Sequence, residues 1–206
     1  GQLVLRATPH PQPDQRLRTL YNYEILDTPR EEEFDEIVEL AAEICDAPIS
    51  VINLIDKDRQ WFKAEVGLGA RETPLETSLC SHAILEERFV ENPDTLKDPR
   101  MADNPLCTAG DGLRFYAGAL LIASNGLPLG TLCILDTKPR RLTALAIEFG
   151  TSIPTIDLPG TGASILMLGA ASARARSLAR ELILSTLTLV LETSFWTTCV
   201  FPSLSF

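Results

Sequence analysis

The sequence predicts an α/β fold of the α+β kind, with a central antiparallel sheet of about five to six strands and helices packed on its faces. Three observations carry that expectation. Two segments with helical spacing, 14–26 and 28–45, come before any strand-like run. The run Ile49–Asp56 is β-branched and apolar on both faces, as a central strand is. Two hairpins follow with a small helix between them, so the order is helix, helix, hairpin, small helix, hairpin.

The first segment has Leu17, Leu20, Tyr21 and Ile25 near helical spacing. The second opens at Leu26-Asp-Thr-Pro29, where Thr28 is the expected N-cap, Pro29 the first helical residue, and Glu31 completes a capping box. Glu31, Glu32 and Glu33 then fall in the first turn, where the helix dipole favours negative charge. That acidic run reads as helix-start chemistry rather than a metal site. Phe34, Ile37, Val38, Ala41, Ile44 and Cys45 make one apolar stripe, and Asp46-Ala-Pro48 ends it. After the central strand, Lys57-Asp-Arg-Gln60 is a hairpin loop, and Trp61–Leu68 reads as a half-buried strand with Phe62, Ala64 and Val66 on one face. Ser78–Glu87 reads as a short helix, Phe89–Pro93 as a short strand, and Asp98–Pro105 as loop or a helical turn. The strands Arg114–Ala123 and Leu129–Asp136 flank Asn125-Gly126, which supplies the positive-φ positions of a hairpin.

The chain has 206 residues and a net charge of −10, from 28 acidic and 18 basic side chains. That length buries a core without disulfides or metal. The acidic balance argues against nucleic acid or an anionic membrane as partner. All of the excess charge lies in residues 1–140, with 24 acids and 14 bases, whereas residues 141–206 carry 4 of each. Those last 66 residues hold 17 Ser and Thr and no Lys, Asn, Gln, Tyr or His, an odd surface for a soluble domain. Their apolar stretches, 165–171 and 182–191, are too short to span a bilayer. The Gly160-Thr-Gly162 step lacks the rest of a phosphate-binding loop and reads as a plain turn. Five widely spaced cysteines without a C-x-x-C pair, and no apolar signal segment in residues 1–16, suit a reducing, cytoplasmic compartment. The expected organisation is a flexible leader (1–13), a domain (14–140) and an atypical tail (141–206). The tail reads either as out of frame, which its composition favours, or as an insertion with a substitute closing helix over 173–191.

The strings LDTP, VINLIDKDRQWFKAEVGL, SLCSHAI, KDPRMADNPL and RFYAGALLIASNGLPLGTLCILDTKPR, in this order between Asp14 and Arg140, resemble a GAF domain. They are most similar to the bacterial subgroup found upstream of histidine kinase and diguanylate cyclase (GGDEF) modules. Leu120 stands where that pattern usually has proline, and the polar closing helix expected after Arg140 is not recognisable. The resemblance implies a GAF/PAS-like sheet and a regulatory domain that senses a small molecule or another signal. Its setting would be a bacterial two-component or cyclic-di-GMP signalling protein, with no catalysis of its own and a homodimeric state. Neither a phosphoacceptor helix nor a cyclase Gly-Gly motif is present, so the kinase or cyclase output is not in these residues.

The resemblance places a ligand between the sheet and its covering helix and loops, with Trp61, Phe62, Cys80, His82, Arg114, Phe115 and Tyr116 near the rim. The alternative is a pocket filled by side chains in a domain that serves only as a dimerisation scaffold. The sequence requires no cofactor and identifies no ligand. A Ser78–His82 catalytic pair lacks a nucleophile elbow and reads as a helix cap beside a partly buried histidine. Cys80 and His82, two apart, point to different helix faces and make a poor zinc pair. Some GAF relatives reduce free methionine sulfoxide with cysteines, and Cys80 with Cys107 is the pair that would do so here, while Cys45 and Cys133 read as small buried apolar residues. The blocks that accompany bilin attachment and cyclic-nucleotide binding are missing.

Overall fold

A computed structural model describes residues 5–86 and 88–152. The expected helix at 173–191, and residues 153–206 generally, lie outside the described residues. Helices α1 (Pro13–Asn22) and α2 (Glu32–Cys45) lead into strands β1 (Ile49–Ile55), β2 (Arg59–Val66) and β3 (Glu72–Pro74). Helix α3 (Cys80–Ala83), strand β4 (Phe89–Asn92) and helix α4 (Pro105–Thr108) precede strands β5 (Phe115–Ile122) and β6 (Pro128–Asp136), and helix α5 (Ala144–Ser152) follows. The sheet order is β3-β2-β1-β6-β5-β4, with every neighbouring pair antiparallel.

The two sheet faces bury separate apolar clusters. Phe34, Ile37, Val38 and Ala41 of α2 cover Ile52, Leu54, Phe115, Leu132 and Ile134 on one face. Leu79, Cys80, Ala83 and Ile84 cover Val51, Phe62, Tyr116, Cys133 and Leu135 on the other. The α2 stripe is the one its 3.6-residue spacing predicts, and the helix ends where Asp46 turns into the left-handed region at φ 47°.

The start of α2 differs from expectation. Thr28 does not cap it: Thr28 Oγ1 donates to Ile25 O (2.7 Å), and Glu31, in extended conformation, is the cap residue without a side-chain bond. The cause is Lys63. Its Nζ, fully buried, donates to Thr28 Oγ1 and Pro29 O (both 2.8 Å) and pairs with the Glu31 carboxylate. A buried ammonium without partners is far more costly than a missing cap, so it takes the groups that would have made one.

The face pattern of β2 also departs from simple alternation. Asn53 pairs with Phe62 and Ile52 with Ala64, so Lys63 is the extra residue of a β-bulge. Phe62 therefore joins the α3 face while Ala64 and Val66 join the α2 face, instead of all three sharing one.

Two boundaries also move. The helix expected over Ser78–Glu87 is confined to Cys80–Ala83, and of the Asn125-Gly126 turn only Gly126 takes positive φ, at 82°. Leu120, where proline was expected, uses the N–H that proline would lack to bond Arg88 O at 2.9 Å. The packed fold runs on past Arg140. Leu142 N donates to Glu91, Thr143 Oγ1 accepts from Ala146 N, and Ala146 is buried against the α2 face.

Candidate functional site

Helix α3 lies over β1, β5 and β6, and its first residue, Cys80, meets the middle of the sheet. Asn53 of β1 sits opposite Thr131 of β6, and Cys133, two residues on, sits opposite Gly118 of β5. Alternation along each strand brings Asn53, Thr131 and Cys133 to the α3 face together. Tyr116 reaches the same place because Gly118 has no side chain. A Cβ there would lie 2.5 Å from Tyr116 Oη.

These five side chains form a closed cluster in which none is more than 5% exposed. Cys80 Sγ and Cys133 Sγ are 3.7 Å apart. Asn53 Nδ2 donates to Thr131 Oγ1 at 2.7 Å and to Cys80 Sγ at 3.0 Å, and it reaches Cys133 Sγ at 3.7 Å. The hydrogen bond with Cys133 holds the Cys80 thiol below the usual thiol range against the opposing effect of burial, with Thr131, Tyr116 and Asn53 adding to it. The same bond, together with burial, pushes Cys133 well up, and burial does likewise to Tyr116. One polar atom of the cluster, Asn53 Oδ1, is buried without a hydrogen bond.

The seven residues predicted around one rim do not share one face. Phe62, Cys80 and Tyr116 lie on the α3 face. Trp61 and Phe115 lie on the α2 face, where Arg71 and Arg140 stack over their rings at 5.1 and 5.6 Å. Arg114 stands at the strand start and bonds Asp94 through Nη2 at 2.9 Å. His82 turns to the leader, its Nε2 3.1 Å from Leu5 O, and burial lowers its pKa. Ser78 bonds Gln60 Oε1 at 2.7 Å and accepts from Ser81 N at 3.1 Å, a capping role rather than a partnership with His82. The sulfur partner of Cys80 is Cys133 and not Cys107, whose thiol is raised by burial. Asn53, Thr131 and Cys133 are the cluster members that the sequence reading missed. Among the described residues, no three His, Cys, Asp or Glu side chains are grouped to hold a metal, and no helix is long and apolar enough to cross a membrane.

Two open spaces lie elsewhere on the domain. One, of about 550 Å³, lies between the leader and the sheet and is lined by His10, Arg16, Ile55, Asp56, Ser81 and Ile84. The other, of about 850 Å³, lies at the far end of the sheet between Asp94, Lys97, Arg100 and Arg141. The KDPRMADNPL block serves mainly to fix the loop beside it. Asp98 accepts from Asn92 Nδ2 at 2.9 Å and pairs with Arg100, while Asn104 caps α4 and donates to Thr77 O at 3.0 Å.

The protein-family model for the GAF domain matches residues 29–153, which takes in the sheet, α3 and α5. This chain belongs to the GAF domain family. The GAF domain is 40% identical over 136 residues to the cyclic di-GMP phosphodiesterase PA2567 of Pseudomonas aeruginosa. That stretch is 65% of this chain and 23% of the relative, so the chain spans under a quarter of that protein's length. Among solved structures, the GAF domain of an Acinetobacter phosphoenolpyruvate-protein phosphotransferase is 18% identical at a TM-score of 0.47, covering 81% of this chain and 93% of its own. The free methionine-R-sulfoxide reductase of Neisseria meningitidis is 14% identical at a TM-score of 0.47, covering 88% of this chain and 99% of its own.

Proposed function

We propose that this GAF domain is the signal-sensing input module of a bacterial protein that turns over cyclic di-GMP, acting as a homodimer and without catalysis of its own. The observation that carries the reading is the cluster of Asn53, Cys80, Tyr116, Thr131 and Cys133 beneath α3, in a domain 40% identical to part of a cyclic di-GMP phosphodiesterase. A domain that needed only a packed core would place apolar side chains there, because an unpaired buried polar atom such as Asn53 Oδ1 costs stability. Such a cost is expected where a site is held ready for a ligand or a chemical change.

The route from site to output begins at α3. Cys80 opens this helix, Ser81 and Ile84 border the space under the leader, and His82 holds Leu5 O. A change at the cluster that moved α3 would therefore alter how the leader and α1 are held. It would transmit a signal only through its different affinity for the two arrangements.

The test is a chimera in which the 206-residue chain replaces the matching stretch of the Pseudomonas phosphodiesterase. Asn53→Ala and Thr131→Val should change its cyclic di-GMP hydrolysis roughly fivefold or more while leaving the fold intact. Hydrolysis indifferent to every cluster substitution would refute the sensing reading. Turnover of free methionine sulfoxide by the chain, lost in Cys80→Ser, would replace it with a thiol enzyme.

A further inference from the structure

We infer that Cys80 and Cys133 are a dithiol that a hydroperoxide oxidises to a disulfide, so that the chemical event at this site is a two-electron oxidation. The inference rests on the sensing reading and names its signal. Four observations bear on it.

The first is the pairing itself. Two sulfurs 3.7 Å apart, one on α3 and one on the central strand β6, need close by only about 1.7 Å to reach the disulfide length of about 2.05 Å. The second is the contrast with the other described cysteines. Cys45 and Cys107 are equally buried, but neither has a sulfur neighbour among the described residues, and burial raises both thiols, Cys45 to about 11. Cys80 and Cys133 instead face each other, and the Asn53 amide is directed at both sulfurs, nearer to Cys80 at 3.0 Å than to Cys133 at 3.7 Å. That donor favours the thiolate, the nucleophilic form.

The third observation is the unused polar atom Asn53 Oδ1. Attack of the Cys80 thiolate on a peroxide oxygen forms an S–O bond, breaks the O–O bond and expels hydroxide or alkoxide, which leaves protonated as water or alcohol. Cys80 is then a sulfenic acid, whose S–OH both donates and accepts a hydrogen bond. Asn53 Oδ1 is an unused acceptor within the same five-residue cluster and complements the S–OH donor of that group. In the second step the Cys133 sulfur attacks the Cys80 sulfur, forming the S–S bond and breaking S–O. The Cys133 proton leaves with the departing oxygen as water. Two electrons have passed from the dithiol to the peroxide, and a cellular thiol would return them by exchange.

The fourth observation is access and consequence. Cys80 is 5% exposed, and the next residue, Ser81, lines the 550 Å³ space beneath the leader, so an oxidant in that space is one residue from the thiol. Drawing Cys80 towards β6 moves the first residue of α3. The same four-residue helix carries His82, which holds Leu5 O, so closing the bond would disturb the leader contact.

The experiment uses the whole reduced chain. Treatment with hydrogen peroxide, blocking of the remaining thiols and non-reducing peptide mapping should recover the Cys80 and Cys133 peptides joined. Cys133→Ser, which cannot close the bond, should leave Cys80 as a sulfenic acid trapped by dimedone. Should that variant not fold, mapping of the unaltered chain decides alone. Recovery of both thiols unmodified, at a dose that oxidises a free-thiol control peptide, overturns the inference. So does a bridge from Cys80 to any other cysteine. In the chimera, hydrolysis that responds to Asn53→Ala but not to peroxide would remove this inference and leave the sensing reading standing. A disulfide that forms without any cluster substitution affecting hydrolysis would do the reverse.

Discussion

Lys63 Nζ stands 2.8 Å from Thr28 Oγ1, which joins the bulge of β2 to the turn that enters α2. The ammonium is fully buried beneath Phe34, whose ring centroid is 4.9 Å away, and Pro29 O and Glu31 complete its partners. Lys63→Met keeps the apolar stem but leaves Thr28 Oγ1, Pro29 O and the Glu31 carboxylate without their donor. Loss of one partner of a buried pair costs about 3–5 kcal/mol, and because Glu31 is 29% exposed we expect about 2 kcal/mol here. The urea midpoint of the variant should fall accordingly, and an unchanged midpoint would show that the bulge does not depend on this ion pair.

Two glycines of adjacent strands should differ in their tolerance of a methyl group. A Cβ on Gly130 would lie 1.9 Å from the backbone oxygen of Asn53, and one on Gly118 would lie 2.5 Å from Tyr116 Oη. The first obstacle is backbone in the middle of the sheet. The second is the end of a side chain held in a closed cluster. Gly118→Ala should therefore cost about 1–3 kcal/mol, in the range of overpacked cores, and Gly130→Ala more. Adding Tyr116→Phe to Gly118→Ala removes the 2.5 Å contact and should restore part of the loss. Equal destabilisation by the two alanines would contradict this account.

The helices and the inner strands were legible because they follow simple periods. The α2 stripe from Phe34 to Cys45 and the apolar runs around Val51 and Leu132 lie where their spacing places them. The start of α2 was not legible, since the residue that displaces the cap, Lys63, is 35 positions from Thr28 and buried by a bulge. A lysine inside an otherwise half-apolar strand gives no local sign that it lies inward. The reactive cluster was half legible. Cys80 and Tyr116 stood out by type, while Asn53 and Thr131 are single polar residues inside the apolar runs VINLI and GTLCIL. A polar residue in a strand buried on both faces needs a partner, and that was the available signal. Which face Trp61 and Phe115 take, relative to Phe62 and Tyr116, depends on strand register, which adjacent aromatic pairs do not reveal.

The histidine on α3 gives a pH dependence with a definite sign. Burial is the main reason that the pKa of His82 is lowered in the folded state, so the unfolded chain binds the proton more readily. Stability should therefore fall as pH drops through about 6.5, the unfolded value, towards the lower folded one. His10 is lowered in the same direction and contributes its own share. The lowered carboxylates Asp94 and Asp98, held by Arg114 and Arg100, act in a lower range, below their ordinary value of 3.8. His82→Gln should flatten the decline between pH 7.5 and 5, scanned by denaturation, without abolishing it. Parallel profiles for the two proteins would show that His82 does not titrate across folding.

The last described helix decides where the domain ends. Ala146 is buried on the α2 face, Leu142 packs beside it, and Gly150 comes so close to Phe89 that a Cβ would lie 2.6 Å from the ring. These residues fall in a stretch whose composition is foreign to the rest of the chain, yet they cover Phe89, Ala117 and Cys45. A chain stopped after Arg140 uncovers Phe89, and a large apolar side chain brought into water costs about 1.5–3 kcal/mol. It also loses the bond from Leu142 N to Glu91 and the Thr143 cap of α5. A chain stopped after Ser152 keeps all of these contacts. Thermal unfolding should therefore place the 1–140 chain well below the 1–152 chain. Should 1–140 melt at the temperature of 1–152, α5 adds nothing to the fold and the domain closes at Arg140.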